Sequence, residues 1–167
     1  VFSSSKIPYV NNGYYLEYDK IGNHPYHHAG LIYVQEPAAM APVECIDIEP
    51  DWCILDMCAA PGGKTTIYST LVGRRGLVVA NDINRGRTLA LSDNVQRWGM
   101  GNVVVTNNEP QHISAFKHWF DVVAVGRDRH MPELTERVQF AEAGKHRCRV
   151  FRAERKDIDH LRIEPVP

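Results

Sequence analysis

Between residues 52 and 125, short apolar runs alternate with stretches of helical period, and this restricts the chain to a parallel α/β sheet more than any other feature. Runs of strand length stand at residues 52–57, 77–81, 103–106 and 121–125. A helical stretch over 64–72, stopped by Gly73-Arg74-Arg75-Gly76, separates the first two. A second helix over 84–98, closed by Gly99 and Gly101, separates the next pair, and the polar break Asn107-Asn108-Glu109-Pro110 precedes the last. Strands that alternate with helices imply right-handed crossovers, and such sheets bind ligands at the carboxyl ends of their strands.

The flanks are less regular. Residues 1–30, rich in Tyr, Asn, Gly and His, read as an irregular lead-in with a short strand over 13–18. The spacing of Val34, Ala38, Ala41 and Cys45 predicts a helix over 34–46 that covers one sheet face, with Pro37 in its first turn and a kink at Pro42. Beyond Gly126 a helical segment over 132–143 and short strands at 150–151 and 158–163 are expected, with no internal repeat. The division is therefore a lead-in at 1–30, a core at 31–125 and a basic C-terminal segment at 126–167.

The 167 residues suit one domain, and 44% hydrophobic with 23% charged content is that of a globular chain. No apolar run is long enough for a membrane helix, and the start lacks a secretory pattern, although a first residue other than Met suggests a trimmed or partial chain. A cytoplasmic location is expected. Cys45, Cys53, Cys58 and Cys148 form no CxxC pair and no zinc spacing, so neither disulfide nor metal is predicted. The net charge of −1 hides a modestly basic tail, including Arg147, Arg149, Arg152, Arg155 and Lys156, which is either a solvated surface or a phosphate-contacting face.

The loop after the first strand, Asp56-Met57-Cys58-Ala59-Ala60-Pro61-Gly62-Gly63-Lys64-Thr65, puts small residues where backbone must approach a ligand. It then opens a helix whose first amides can hold a carboxylate or phosphate. Gly63-Lys64-Thr65 matches the end of a phosphate-binding P-loop, but the glycine required five residues earlier is Cys58, and Pro61 interrupts the cradle. Asp82 ends the second strand, where an acid grips a ribose diol in sheets of this type. Alternatively Asp82 caps the next helix, a role open also to Asn84. Asn107, Asn108 and Glu109 offer polar groups at the same sheet edge, where an adenine would lie, or form a plain turn before Pro110.

Leu31-Ile32-Tyr33-Val34-Gln35-Glu36-Pro37-Ala38-Ala39-Met40, the loop from Leu55 to Thr65, and Ala80-Asn81-Asp82 together resemble the Sun-type (Fmu-type) RNA cytosine-C5 methyltransferases, particularly the bacterial ribosomal RNA enzymes. The match covers about residues 25–125. The resemblance implies a class I methyltransferase fold, S-adenosylmethionine as cofactor and RNA as partner. It implies that Cys58, Ala59, Ala60, Pro61, Gly62, Gly63 and Lys64 hold the methionine part of the cofactor. Asp82 would take the ribose, Asn108 or Glu109 would lie near the adenine, and Arg87 would lie close to cofactor or RNA.

Members of that family use two cysteines, one in Asp-Ala-Pro-Cys-Ser-Gly after the fourth strand and one in Thr-Cys-Thr after the fifth. One thiolate adds to C6 of cytosine and makes C5 nucleophilic toward the sulfonium methyl, and the other assists product release. Neither segment occurs here, and the fourth strand runs into Gly126-Arg127-Asp128-Arg129. Cys45 and Cys53 read as buried small hydrophobes, Cys58 as a non-catalytic loop residue, and the flanks of Cys148 fit neither segment, so no catalytic residue is identified. Omitted internal residues, a truncation or altered reading with a new tail, and a degenerate homologue would each explain this. His24-Pro25-Tyr26-His27-His28 lacks the carboxylate spacing of a metal site and reads as an exposed loop, on the RNA side in the family. Trp98, Trp119 and Phe120 are spaced as core. Two functions follow: an RNA cytosine-C5 methyltransferase or its cofactor-binding core, and a catalytically inactive RNA-binding or assembly module that keeps the fold.

Overall fold

The structure, a computed structural model, describes residues 3–18, 20–113, 116, 119–126 and, as backbone, 149–153. Strands β1 (Ser4–Lys6) and β2 (Tyr14–Leu16) form an antiparallel pair, with Ser5 opposite Tyr15. The turn between them buries Ile7 and Val10 against Met40, and Asn11 clasps both carboxylate oxygens of Glu44, through its amide at 3.0 Å and its Nδ2 at 2.7 Å. The lead-in thus has a small core of its own, fastened to the helix that follows.

Helix α1 (Pro25–His28) takes the place of the expected exposed loop, with the His24 side chain accepting the Tyr26 amide at its start. Helix α2 (Pro37–Glu44) is shorter at both ends than the expected 34–46. Its first residue is proline, which holds Glu36 extended at φ −71° and ψ 141° and prevents an earlier start. Pro42 lies inside the helix, where Met40, Ala41, Pro42 and Val43 are buried.

The main sheet follows in the expected order: β3 (Cys53–Asp56), α3 (Gly63–Val72), β4 (Leu77–Asn81), α4 (Arg85–Trp98), β5 (Val103–Thr106), α5 (Pro110–Ile113), β6 (Val122–Gly126) and β7 (Arg149–Ala153). All neighbours are parallel, in the order β5-β4-β3-β6-β7. The chain moves outward from β3 through β4 to β5, then returns to pair β6 on the other side of β3. The carboxyl end of β3 is therefore the switch point of a doubly wound sheet, where such folds open a ligand crevice.

Alternation along the strands sends residues to two faces. Ile54, Val78 and Val122 pack with Val43, Tyr68 and Val72 from α2 and α3, and Ala80 packs with Leu91 and Val95 of α4. Leu55, Val123 and Val125 point the other way, against Ile113 and Phe120. Each such apolar side chain, fully buried, contributes about 1.5–3 kcal/mol, so the site above them rests on a rigid floor.

Three core assignments require correction. Trp119 is 72% exposed, its ring edge-on to the exposed Phe116, while Phe120 is buried and Trp98 is half-buried. Cys45 is exposed because it lies at the C-cap of α2, beyond the buried stretch. Cys53 is only half-buried, at the start of β3, where burial and the nearby Asp121 carboxylate raise its thiol pKa. The expected strand at 150–151 lies within β7. The expected helix over 132–143, the strand over 158–163 and Cys148 fall outside the described residues. Among the described residues, no helix is long and apolar enough to cross a membrane.

Candidate functional site

As β3 ends at Asp56, the chain leaves the sheet and crosses toward β4. The Met57 amide still bonds to the Ala124 carbonyl, at 2.9 Å, and the Ala59 amide to the Asn81 carbonyl, at 2.9 Å. The Ala60 amide then finds the Asp82 carboxylate at 3.2 Å. Small side chains allow this course, since Cys58, Ala59 and Ala60 are all buried between the strand ends. The Ala60–Pro61 peptide is cis.

Gly62 reverses the chain with φ 115°, a conformation that disfavours any side chain, and a Cβ there would meet Leu91 Cδ1 at 3.2 Å. A Cβ on Gly63 would overlap the Gln35 side chain, so the segment before α2 lies directly against the turn. The N-cap of α3 is Gly62, which has no side chain to cap the helix, so the positive end of a ten-residue helix is left to its surroundings at the switch point.

Asp82 is 1% exposed and joins the loop to the start of α4. Oδ2 accepts the Ala60 amide, Oδ1 accepts the Asn84 amide at 3.0 Å, and Arg87 Nη2 lies 3.5 Å from Oδ2. The cap of α4 is Asn84, whose Oδ1 accepts the Arg87 amide at 3.1 Å. A carboxylate offers about four lone-pair sites, so these contacts leave acceptor capacity for a diol. The Arg87 guanidinium also donates to the Ala60 carbonyl at 2.7 Å, which makes it a clamp on the loop.

Asn108 is placed by Asn81, whose Oδ1 accepts the Asn108 amide at 2.9 Å and whose Nδ2 donates to the Asn108 carbonyl at 3.0 Å. Asn107 Nδ2 bonds the carbonyls of Asp82 and Ile83, so the polar break is tied to the end of β4. The Asn108 and Glu109 side chains are exposed beside it.

Residues not singled out from the sequence complete the floor. Asp56 is fully buried; Oδ2 accepts the Thr65 hydroxyl at 2.9 Å, and Oδ1 has no hydrogen-bond partner. Burial raises its pKa, opposed by Lys64, the Thr65 hydroxyl and the Cys58 amide and reinforced by Asp82. Lys64 reaches across to the end of β6, with Nζ 3.5 Å from where a Gly126 Cβ would stand. An acid closing an apolar strand run is the signal that could have marked Asp56. Asn81, buried at the end of β4, carries the same kind of signal.

Cys45 and the histidines of residues 24–28 are not among these loop contacts, and the described residues include no cluster of three or more His, Cys, Asp or Glu able to hold a metal ion. The N-terminus of α3 and the buried Asp56 and Asp82 carboxylates stand together at the carboxyl ends of β3 and β4, a donor and acceptor set whose chemistry fits an amino-acid nucleoside.

Solved structures share the fold. A methyltransferase homologue from Pyrococcus horikoshii is 31% identical, with a TM-score of 0.67 over 75% of this chain and 42% of that one. NSun6 from Pyrococcus horikoshii, solved with SFG, is 23% identical with a TM-score of 0.54, over 64% of this chain and 28% of that one. The ribosomal RNA small subunit methyltransferase F of Shewanella woodyi is 34% identical over 125 residues, 70% of this chain and 26% of the relative. That of Shewanella amazonensis is 37% identical over 105 residues, 60% and 22% respectively. The chain thus spans about a quarter of the length of these curated relatives. Residues 1–37 match the N-terminal domain of 16S rRNA methyltransferase RsmF, and residues 43–127 match the 16S rRNA methyltransferase RsmB/F model. With its parallel sheet and its loop at the switch point, the chain belongs to the RsmB/F family of 16S rRNA methyltransferases.

Proposed function

We propose that these residues are the S-adenosylmethionine-binding core of a cytoplasmic ribosomal RNA cytosine-C5 methyltransferase that needs no metal. The observation that carries the reading is the pairing of an uncapped α3 N-terminus with the Asp82 carboxylate across one short loop. The first amides of α3 bind the methionine carboxylate, Asp82 takes the ribose hydroxyls, and Asn108 or Glu109 lies beside the adenine. Cys58, Ala59 and Ala60 allow the close approach, and Arg87 supports it by holding the Ala60 carbonyl. When bound, the cofactor supplies an electrophilic methyl group on a sulfonium.

The chain's own residues bind and orient; they do not include the thiols of the family reaction. β6 ends at Gly126, where Arg127 follows in place of a Pro-Cys segment, and Cys58 is buried within the loop. That observation favours a second reading for these 167 residues alone, an RNA-binding or assembly module without catalysis. Calorimetry with S-adenosylhomocysteine tests the cofactor reading: binding is expected, at least tenfold weaker for Asp82→Ala, and no binding by folded protein refutes it. Transfer of labelled methyl to unmethylated ribosomal RNA by the 167-residue chain is expected to be nil, and turnover there would overturn the second reading.

A further inference from the structure

Four residues from three separate parts of the chain form one hydrogen-bonded line from the N-terminal segment to the Gly-rich loop. Arg97, in the last turn of α4, donates from Nη1 to the His27 carbonyl of α1 at 2.6 Å and from Nη2 to Asn94 Oδ1 at 2.6 Å. Asn94, three residues back on the same helix face, donates from Nδ2 to the Pro61 carbonyl at 2.7 Å.

Every bond runs outward from one cation. The guanidinium charge polarises the Asn94 amide and strengthens the donor at its far end. It also settles the amide's orientation: with Oδ1 against the guanidinium, Nδ2 must face Pro61, whereas a reversed amide would set oxygen against carbonyl oxygen.

The N-terminal segment is fitted to this end of α4. Gly30, at φ 71°, approaches so closely that a Cβ would overlap the Arg97 carbonyl, and Tyr33 meets Trp98 edge-on with ring centroids 6.0 Å apart. Two residues further on, Gln35 lies against Gly63. The same stretch therefore touches the loop twice, once through the Arg97–Asn94 line and once directly.

We infer that Arg97 and Asn94 are positioning residues for the cofactor: by fixing the Pro61 carbonyl they set the turn at Gly62 that aims the first amides of α3, and they tie that turn to the docked N-terminal segment. The inference rests on the reading of this loop as the S-adenosylmethionine cradle. If Arg97 served only to hold the N-terminal segment, its loss would lower stability and leave ligand affinity unchanged.

Asn94→Asp separates these cases, because a carboxylate keeps the Arg97 partner yet offers no donor to Pro61. Calorimetry with S-adenosylhomocysteine on the whole chain is expected to show binding by the unaltered protein and affinity about tenfold lower for Asn94→Asp, the scale of one neutral hydrogen bond, with the urea midpoint retained. Arg97→Met is expected to weaken binding as well, and in an Asn94→Leu background to change it less than about twofold, since both act through one bond. Asn94→Asp binding within about twofold of the unaltered protein, or full additivity of Arg97→Met and Asn94→Leu, overturns the inference. No binding by the unaltered protein refutes the cofactor reading itself.

Discussion

The Asp82 carboxylate accepts the Ala60 amide at 3.2 Å across 22 residues of sequence, so the end of β4 holds the loop that leaves β3. Its other oxygen holds the Asn84 amide at the start of α4. Asp82→Asn can satisfy one of these donors and must turn an NH₂ toward the other. A stability loss of about 1–3 kcal/mol is expected, from a buried donor left unmatched, and urea unfolding of the variant measures it.

Asn81 makes three bonds to the end of β5 and the segment after it, accepting from the Thr106 hydroxyl and the Asn108 amide and donating to the Asn108 carbonyl. Asn81→Ala is expected to lower stability by about 1–3 kcal/mol and to raise amide hydrogen exchange at Asn107 and Asn108. Unchanged exchange at those two positions would show that Asn81 does not hold the segment.

Asp56 gives the site a pH signature of definite sign. Burial raises its carboxyl above the ordinary 3.8, so the folded chain binds this proton more tightly than the unfolded chain does. The contribution of this group is therefore full below 3.8 and is lost as pH rises from there through the folded value. Asp56→Asn, which carries no charge to bury, should gain stability relative to the unaltered chain between about pH 4 and pH 7. Denaturation midpoints of both proteins across that range test it, and parallel curves refute it.

Trp119 stands in solvent although it neighbours the buried Phe120. Trp119→Phe is expected to change stability by no more than about 0.5 kcal/mol and to remove the most iodide-quenchable part of the tryptophan emission.

The sheet was legible because each strand and helix carries its own period. The boundaries of β4 and β5 and the end of α3 follow from Gly73, Gly76 and Gly101 without any tertiary information. α2 was misjudged because apolar spacing continues through Val34, where the proline at 37 already forbids helix. Cys45 and Trp119 were misplaced for a related reason: composition favours burial, while their places at a helix end and before β6 expose them. The loop residues were legible from their small size. The partners that hold them were not, because His27, Pro61, Asn94 and Arg97 meet only through the packing of α4, which no local pattern encodes.

The amides of Ala59 and Ala60 are bonded to Asn81 and Asp82, the end of the neighbouring strand, and not to other residues of their own loop. The loop therefore acquires its shape when β3 and β4 pair, before any ligand arrives. Its ordering entropy falls on folding, so an incoming ligand meets a preorganised surface and keeps more of its contact energy as affinity.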